Sequence, residues 1–326
     1  MWKTPQTMSL LAEGTAPRVA RRACDSRWRT WLALSLLVAL GGTSCASMLE
    51  EVGGSRIRRV APEPDSLTLA LWHMDETSGT LVQDAGPHHL DGVAGPGTDV
   101  GSGYTSAGRR FTGDTDAYML VPWKPPLREL SEFTVEASNR LSETSGNLRT
   151  IAAQWTSREL SSSWYFGVIG ADTVRTNSQG DVILRSAHLG SHHLVFAYVS
   201  TQHLGDDAVR VVMSEKALIP GIWTHVAVTF DGTRVRFYRD HKPDWTSEWE
   251  WEQMQEETRR APDQMRKTET PLTIGNYFET FLPQGPRGFS YTAPEGVAFS
   301  GEIDELRISH GVRGDLVVES KRDVVP

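Results

Sequence analysis

The sharpest chemical candidate in this 326-residue chain is Glu302-Ile303-Asp304-Glu305-Leu306-Arg307, with three carboxylates inside a run that alternates like a strand. Carboxylates so grouped suit glycoside hydrolysis, which needs a nucleophile and a separate acid/base about 5–5.5 Å away. No other constellation competes. His88-His89 and His192-His193 are adjacent pairs, and a strand would turn their side chains to opposite faces, so neither pair makes a shared metal site. The serines lack a Gly-x-Ser-x-Gly elbow. The glycines between Gly92 and Gly108 lack the spacing of a phosphate cradle. His225 reads as a structural histidine, hydrogen-bonded within a sandwich.

These residues must be positioned by strands. Phe299–Ser309 reads as the strand that closes a sandwich opened at Leu67. Its alternation sends Ile303, Leu306 and Ile308 towards core surfaces, which one face can accept only with a bulge, unless both sides are buried. Leu67–Trp72 alternates and stops at Thr77-Ser78-Gly79. Further strands are expected around Phe111, Tyr118–Val121 and Phe133–Leu141, with a glycine-rich loop from Gly92 to Gly108 between the first and second groups. Short strands follow at Thr150–Trp155, Trp164–Ile169, Val182–Arg185, His193–Val199 and Val209–Met213. Trp223–Phe230, Asp231-Gly232 and Thr233–Asp240 form a strand, a hairpin turn and a strand. Residues 241–269 break the pattern and read as an acidic helical insertion, with Trp245 and Trp249 four apart on one face. The sum is an all-β fold of two antiparallel sheets and about a dozen strands.

Composition agrees with a globular β domain, with 39% apolar and 23% charged residues. The formal charge is -8; without residues 1–45, which hold six basic and two acidic side chains, 27 basic and 39 acidic residues remain, a net -12. That balance excludes non-specific nucleic-acid binding, which needs basic surface against phosphates. Residues 1–44 have the layout of a secretory signal, with Arg18, Arg21, Arg22, Arg27 and Arg29 ahead of the apolar Trp31–Leu40 and the small residues Gly41–Ser44. The apolar run is too short to span a bilayer, which takes roughly 20 residues. Cys24 and Cys45 both fall in this leader region, so the domain beyond them has no disulfide available. Residues 45–65, with Gly53-Gly54, Pro62 and Pro64, read as a linker.

Three stretches in order resemble the laminin G-like, concanavalin A-like jelly-roll family of bacterial secreted proteins. They are Ala70-Leu-Trp72-His-Met-Asp75-Glu76-Thr-Ser78-Gly79, Phe111-Thr-Gly113-Asp114 and Phe133-Thr-Val135-Glu136-Ala137. The most specific match is Trp223-Thr-His225-Val-Ala-Val228-Thr-Phe230-Asp231-Gly232, and the resemblance covers residues 66–312, leaving 313–326 as a tail. It implies a jelly-roll sandwich. Gly42-Thr43-Ser44-Cys45 resembles the end of a bacterial lipoprotein signal, which implies an acylated Cys45 and tethering to a membrane through lipid alone. The run from Glu302 nearly spells the Glu-x-Asp-x-x-Glu strand of the laminarinase-type retaining glycosidases. Arg307 stands where the second glutamate belongs, and a guanidinium cannot serve as that acid. Related jelly rolls hold a calcium near the chain ends, and Asp75, Asp84 and Asp304 are the expected ligands where first and last strands pair.

The functional expectation is a non-catalytic module in the bacterial cell envelope, lipid-anchored on the periplasmic or cell-surface face, or else secreted. Its partner is a glycan stacked on Trp155, Trp164, Tyr165 or Tyr277. The alternative is an adhesion or scaffolding module that binds a cell-surface protein through Trp245, Trp249 and Trp251. Glycoside hydrolysis is the third reading.

Overall fold

In a computed structural model, described for residues 60–316 other than 129, 143–147, 157–161, 170–173, 177–181, 186–191, 203–208, 233, 245–263 and 284–288, two antiparallel sheets pack face to face. All of these residues belong to one compact unit, Ile57–Pro326. The first sheet runs β16 (Lys242–Asp244), β15 (Val235–Arg239), β14 (Thr224–Phe230), β7 (Phe133–Leu141), β20 (Ser300–His310), β5 (Ala107–Thr112) and β4 (Thr98–Ser102), with β1 (Thr68–Trp72) also on β20. The second runs β13 (Val209–Ala217), β12 (His193–Val199), β9 (Trp164–Ile169), β8 (Leu148–Gln154), β17 (Leu272–Ile274), β6 (Met119–Val121), β3 (Gly92–Ala94) and β2 (Leu81–Val82). Two further hairpins, β10 (Val174–Thr176) with β11 (Val182–Arg185) and β18 (Thr280–Pro283) with β19 (Phe289–Thr292), form two-stranded sheets of their own among the described residues. This is the jelly-roll sandwich the sequence implies.

The core lies between the sheets because alternation sends one side chain in two inward. Trp72, Phe111, Phe133, Phe166, Phe196, Phe230, Phe237 and Phe299 are all fully buried there. Both buried indoles satisfy their N–H, as burial of that group requires: Trp72 Nε1 donates to the Leu90 carbonyl at 2.9 Å and Trp164 Nε1 to Gln154 Oε1 at 3.0 Å.

The first and last strands meet as expected, with Ala70 opposite Ile308 and Trp72 opposite Leu306. Ile303, Leu306 and Ile308 all face the core, and a bulge reconciles them: the β20–β7 register shifts between Asp304 and Arg307, where Glu305 takes φ of 52°. The extra residue restores parity, so Glu302, Asp304 and Arg307 share the outer face.

Three boundaries differ from the sequence reading. The glycine-rich segment 92–108 holds β3, β4 and the start of β5 rather than a loop, since cross-strand pairing with β6 and within the β4–β5 hairpin overrides glycine's weak strand preference. Lys242–Asp244 continues the sheet as β16, and Met265 bridges Ser200, so the ends of the 241–269 insertion belong to the β framework. Arg313–Leu316 is no loose tail: Arg313 and Leu316 are buried, the latter against Ala227 and Tyr238 on the outer face of the first sheet.

Candidate functional site

Of the four aromatics expected to stack on sugar, the structure groups three on the outer face of the second sheet. Direct cross-strand pairing sets Leu120, Thr273, Ala153, Tyr165 and Ala197 in one row across β6, β17, β8, β9 and β12. Tyr165 is the one large ring there between small neighbours. Trp155, immediately after β8, meets it edge-on at 6.4 Å between centroids, and Tyr277, just past β17, at 6.0 Å and 90°. Tyr165 is only 3% exposed, whereas Trp155 and Tyr277 are half-buried, so two rings stand partly free against a buried third. Burial pushes the Tyr165 hydroxyl far above its ordinary value, and burial with the nearby Glu279 charge pushes that of Tyr277 to about 12. Both remain neutral O–H groups at physiological pH, able to donate as well as accept.

Tyr165 depends on Gly167. A Cβ at position 167 would come within 2.4 Å of the Tyr165 hydroxyl and 2.3 Å of the Arg149 carbonyl. Gly167→Ala is therefore expected to cost about 1–3 kcal/mol by overpacking, read as a lower urea midpoint at unchanged m-value; an unchanged midpoint would show that Tyr165 does not rest on that glycine.

Trp164, the fourth, corrects the expectation: it is fully buried in the core on the opposite face of β9, so no ligand reaches it. Its adjacency to Tyr165 is the reason, since neighbouring strand residues face opposite ways. The sequence reading missed a continuation of the ledge at Tyr118, Phe278 and Tyr291, whose rings lie 4.5–5.2 Å apart. The Tyr277-Phe278 doublet was its visible signal. Cys45, Trp245, Trp249 and Trp251 lie outside the described residues.

The outer face of the first sheet is polar. Arg140 on β7 forks Glu302, with Nε to Oε2 at 3.1 Å and Nη2 to Oε1 at 2.8 Å. Arg307 Nε donates to Glu136 Oε1 at 2.6 Å, and His225 Nε2 lies 3.0 Å from Glu136 Oε2, its ring stacked on His241 at 4.3 Å. His225 is thus the hydrogen-bonded structural histidine expected. Of the carboxylates considered for hydrolysis, Glu302 is held by Arg140, and Arg307, which stands in place of the second glutamate, is itself paired with Glu136.

The three aspartates expected around calcium do not come together. Asp84 has both oxygens filled by peptide N–H donors, Leu71 at 2.8 Å, Gly86 at 2.7 Å and Leu90 at 2.7 Å. It shapes the turn after β2. Asp75 accepts from Ala107 N at 3.1 Å, and Asp304 from Tyr104 N at 2.6 Å and Thr105 N at 3.3 Å, so these two serve the β4–β5 hairpin tip. Among the described residues no group of three or more His, Cys, Asp or Glu side chains is arranged to hold a metal ion.

No family model matches the chain, and no curated protein matches it. Among solved structures it is similar to the binding domain of Paraclostridial Mosquitocidal Protein 1, at 10% identity and TM-score 0.48 over 76% of this chain and 50% of that one. It is similar also to domain 4 of AbnA, a GH43 extracellular arabinanase from Geobacillus stearothermophilus solved with arabinotriose, at 14% identity and TM-score 0.45 over 75% and 93%. A third is the botulinum neurotoxin serotype G binding domain, at 8% identity and TM-score 0.48 over 76% and 49%. The chain spans about half the length of the two toxin domains. No ligand or activity passes to this chain from likenesses so distant.

Proposed function

We propose that the chain is a non-catalytic carbohydrate-binding module of laminin G-like type, held at the bacterial cell envelope through lipid on Cys45. The observation that carries this reading is the pair of half-exposed rings, Trp155 and Tyr277, each fixed edge-on against buried Tyr165. Rigid aromatic faces with the neutral Tyr277 hydroxyl beside them suit the C–H faces and hydroxyl edges of sugars. The non-catalytic part is supported by Arg140 on Glu302, which occupies a carboxylate a retaining mechanism would need free, and by Arg307 in place of the second glutamate, itself paired with Glu136.

A glycan array probed with the full-length protein tests the reading. Trp155→Ala and Tyr277→Ala should each weaken the strongest glycan signal about tenfold, equivalent to about 1.4 kcal/mol, with the melting temperature little changed. Signals untouched by both changes would sink the stacking role. The anchor has its own test: labelled palmitate that still enters the Cys45→Ala protein would refute lipidation at Cys45.

A further inference from the structure

The outer face of the first sheet carries a feature unrelated to the Trp155 ledge. Register places Asp99, Arg110, Glu302 and Arg140 in one row across β4, β5, β20 and β7. They pair off as acid with base, Arg110 Nη2 to Asp99 Oδ2 at 2.8 Å and Arg140 across both oxygens of Glu302. Trp223, directly before β14, extends the row, with the Arg140 guanidinium 5.4 Å from its ring centroid. Arg140 Nη2 also donates to Ser102 Oγ at 2.9 Å.

Tyr104 packs beside Trp223. It sits at the tip of the β4–β5 hairpin and meets Trp223 at 6.0 Å between centroids and 60°, a tilted contact rather than a stack. The tip is tethered through backbone donors and Thr105: Tyr104 N and Thr105 N donate to Asp304, and Thr105 Oγ1 donates to Glu305 Oε1 at 2.7 Å. Gly103 permits the fold-back, since a Cβ there would lie 1.8 Å from the Ala107 carbonyl. Farther along this face Leu316 packs on Ala227 and Arg313 is buried near Glu136, but Tyr104, Trp223, Arg140 and Glu302 all keep exposed surface. Ile219 and Ile222, in the loop leading to Trp223, are 63% and 54% exposed and add apolar edge.

We infer that Trp223, Tyr104, Arg140 and Glu302 form a second binding site, for a neutral saccharide. Two acids and two arginines cancel, so the row offers donors and acceptors without net attraction for an anion or a cation. An anion would have to compete with Glu302 for Arg140. A ring with polar edges and an apolar face matches both the charge-balanced row and the indole beside it. The site is independent of the Trp155 ledge, on the opposite outer face of the sandwich, and stands if that reading fails.

The test is calorimetric titration of the full-length protein with cellohexaose, laminarihexaose, mannohexaose and, as the charged control, hexagalacturonate. At least one neutral hexasaccharide should bind, at least tenfold more weakly to Trp223→Ala and to Tyr104→Ala, and with unchanged affinity to Trp155→Ala. Tyr104→Ala guards against misfolding, because it leaves the backbone tethers of the hairpin in place. No binding of any neutral hexasaccharide, tighter binding of hexagalacturonate, or binding lost in Trp155→Ala but kept in Trp223→Ala would each overturn the site.

Discussion

Replacing Glu136 with leucine is expected to lower the unfolding free energy by about 3–5 kcal/mol, the cost of removing one partner from a buried ion pair. Glu136 is 4% exposed and Arg307 7%. The carboxylate takes Arg307 at 2.6 Å and His225 at 3.0 Å, with Arg313 Nε at 3.8 Å. Arg313 is itself buried and tied to Asp65, Asp315 and Ser309, so the C-terminal segment is fastened to the sheet by the same group of charges. Without Glu136, Arg307 remains desolvated and loses the carboxylate hydrogen-bonded to it. The double variant Glu136→Leu with Arg307→Leu should recover part of the loss, because no uncompensated charge stays behind. Urea unfolding at pH 7 measures both; a single-variant loss below about 1 kcal/mol would show that the pair behaves like an exposed one. Acid should act on the same bond. Burial pushes the Glu136 carboxyl up, but the His225 hydrogen bond and the Arg307 charge outweigh it and hold the group below its ordinary value. With the folded value lower than the unfolded one, the stabilisation is present above the unfolded value and is lost as pH falls through the folded one.

The second large effect runs the other way with pH. Asp304 is fully buried on β20, and burial with the adjacent Glu305 charge pushes its carboxyl up to about 7, against the opposing Tyr104 and Thr105 N–H groups. Asp75 adds to the rise. Here the folded value exceeds the unfolded one, so stability is complete below the unfolded value near 4 and falls as pH rises through about 7. The total is up to about 4 kcal/mol, a tenfold change in protonation equilibrium being worth about 1.36 kcal/mol. His73 acts in the same sense: its hydrogen bond to Glu305, partly offset by burial, raises its value, and that contribution too fades as pH rises. Calorimetry from pH 5 to pH 8 should show a falling melting temperature, and Asp304→Asn should flatten most of the slope. An equal slope in the variant would mean that Asp304 does not carry the effect.

The physics of these two predictions was only partly visible in the chain. Alternation in Phe133–Leu141, Thr224–Phe230 and Ser300–His310 marked three central strands, and Asp231-Gly232 marked the hairpin from Thr224–Phe230 into Val235–Arg239. The conflict among Ile303, Leu306 and Ile308 required a bulge, and the register shift at Asp304–Arg307 supplies it. Charge, too, was readable, as was the absence of a second glutamate at position 307.

Exposure was not. Trp164 and Tyr165 are neighbours of similar character, and both faces of β9 pack apolar groups, so alternation separates the two residues without saying which one faces in. The partners of Glu302 and Glu136 were equally hidden: Arg140 is 162 positions from Glu302, and Arg307 is 171 from Glu136. Local pattern records the period of a strand and the parity of its side chains, because those follow from backbone geometry within a few residues. Which strands become neighbours, which face is then covered, and which charges meet are set by long-range pairing. The chain by itself thus determined a two-sheet sandwich closed by its last strand. Only the tertiary structure decided that Trp155 and Tyr277 are presented while Trp164 is withdrawn, and that Trp223 stands beside Arg140.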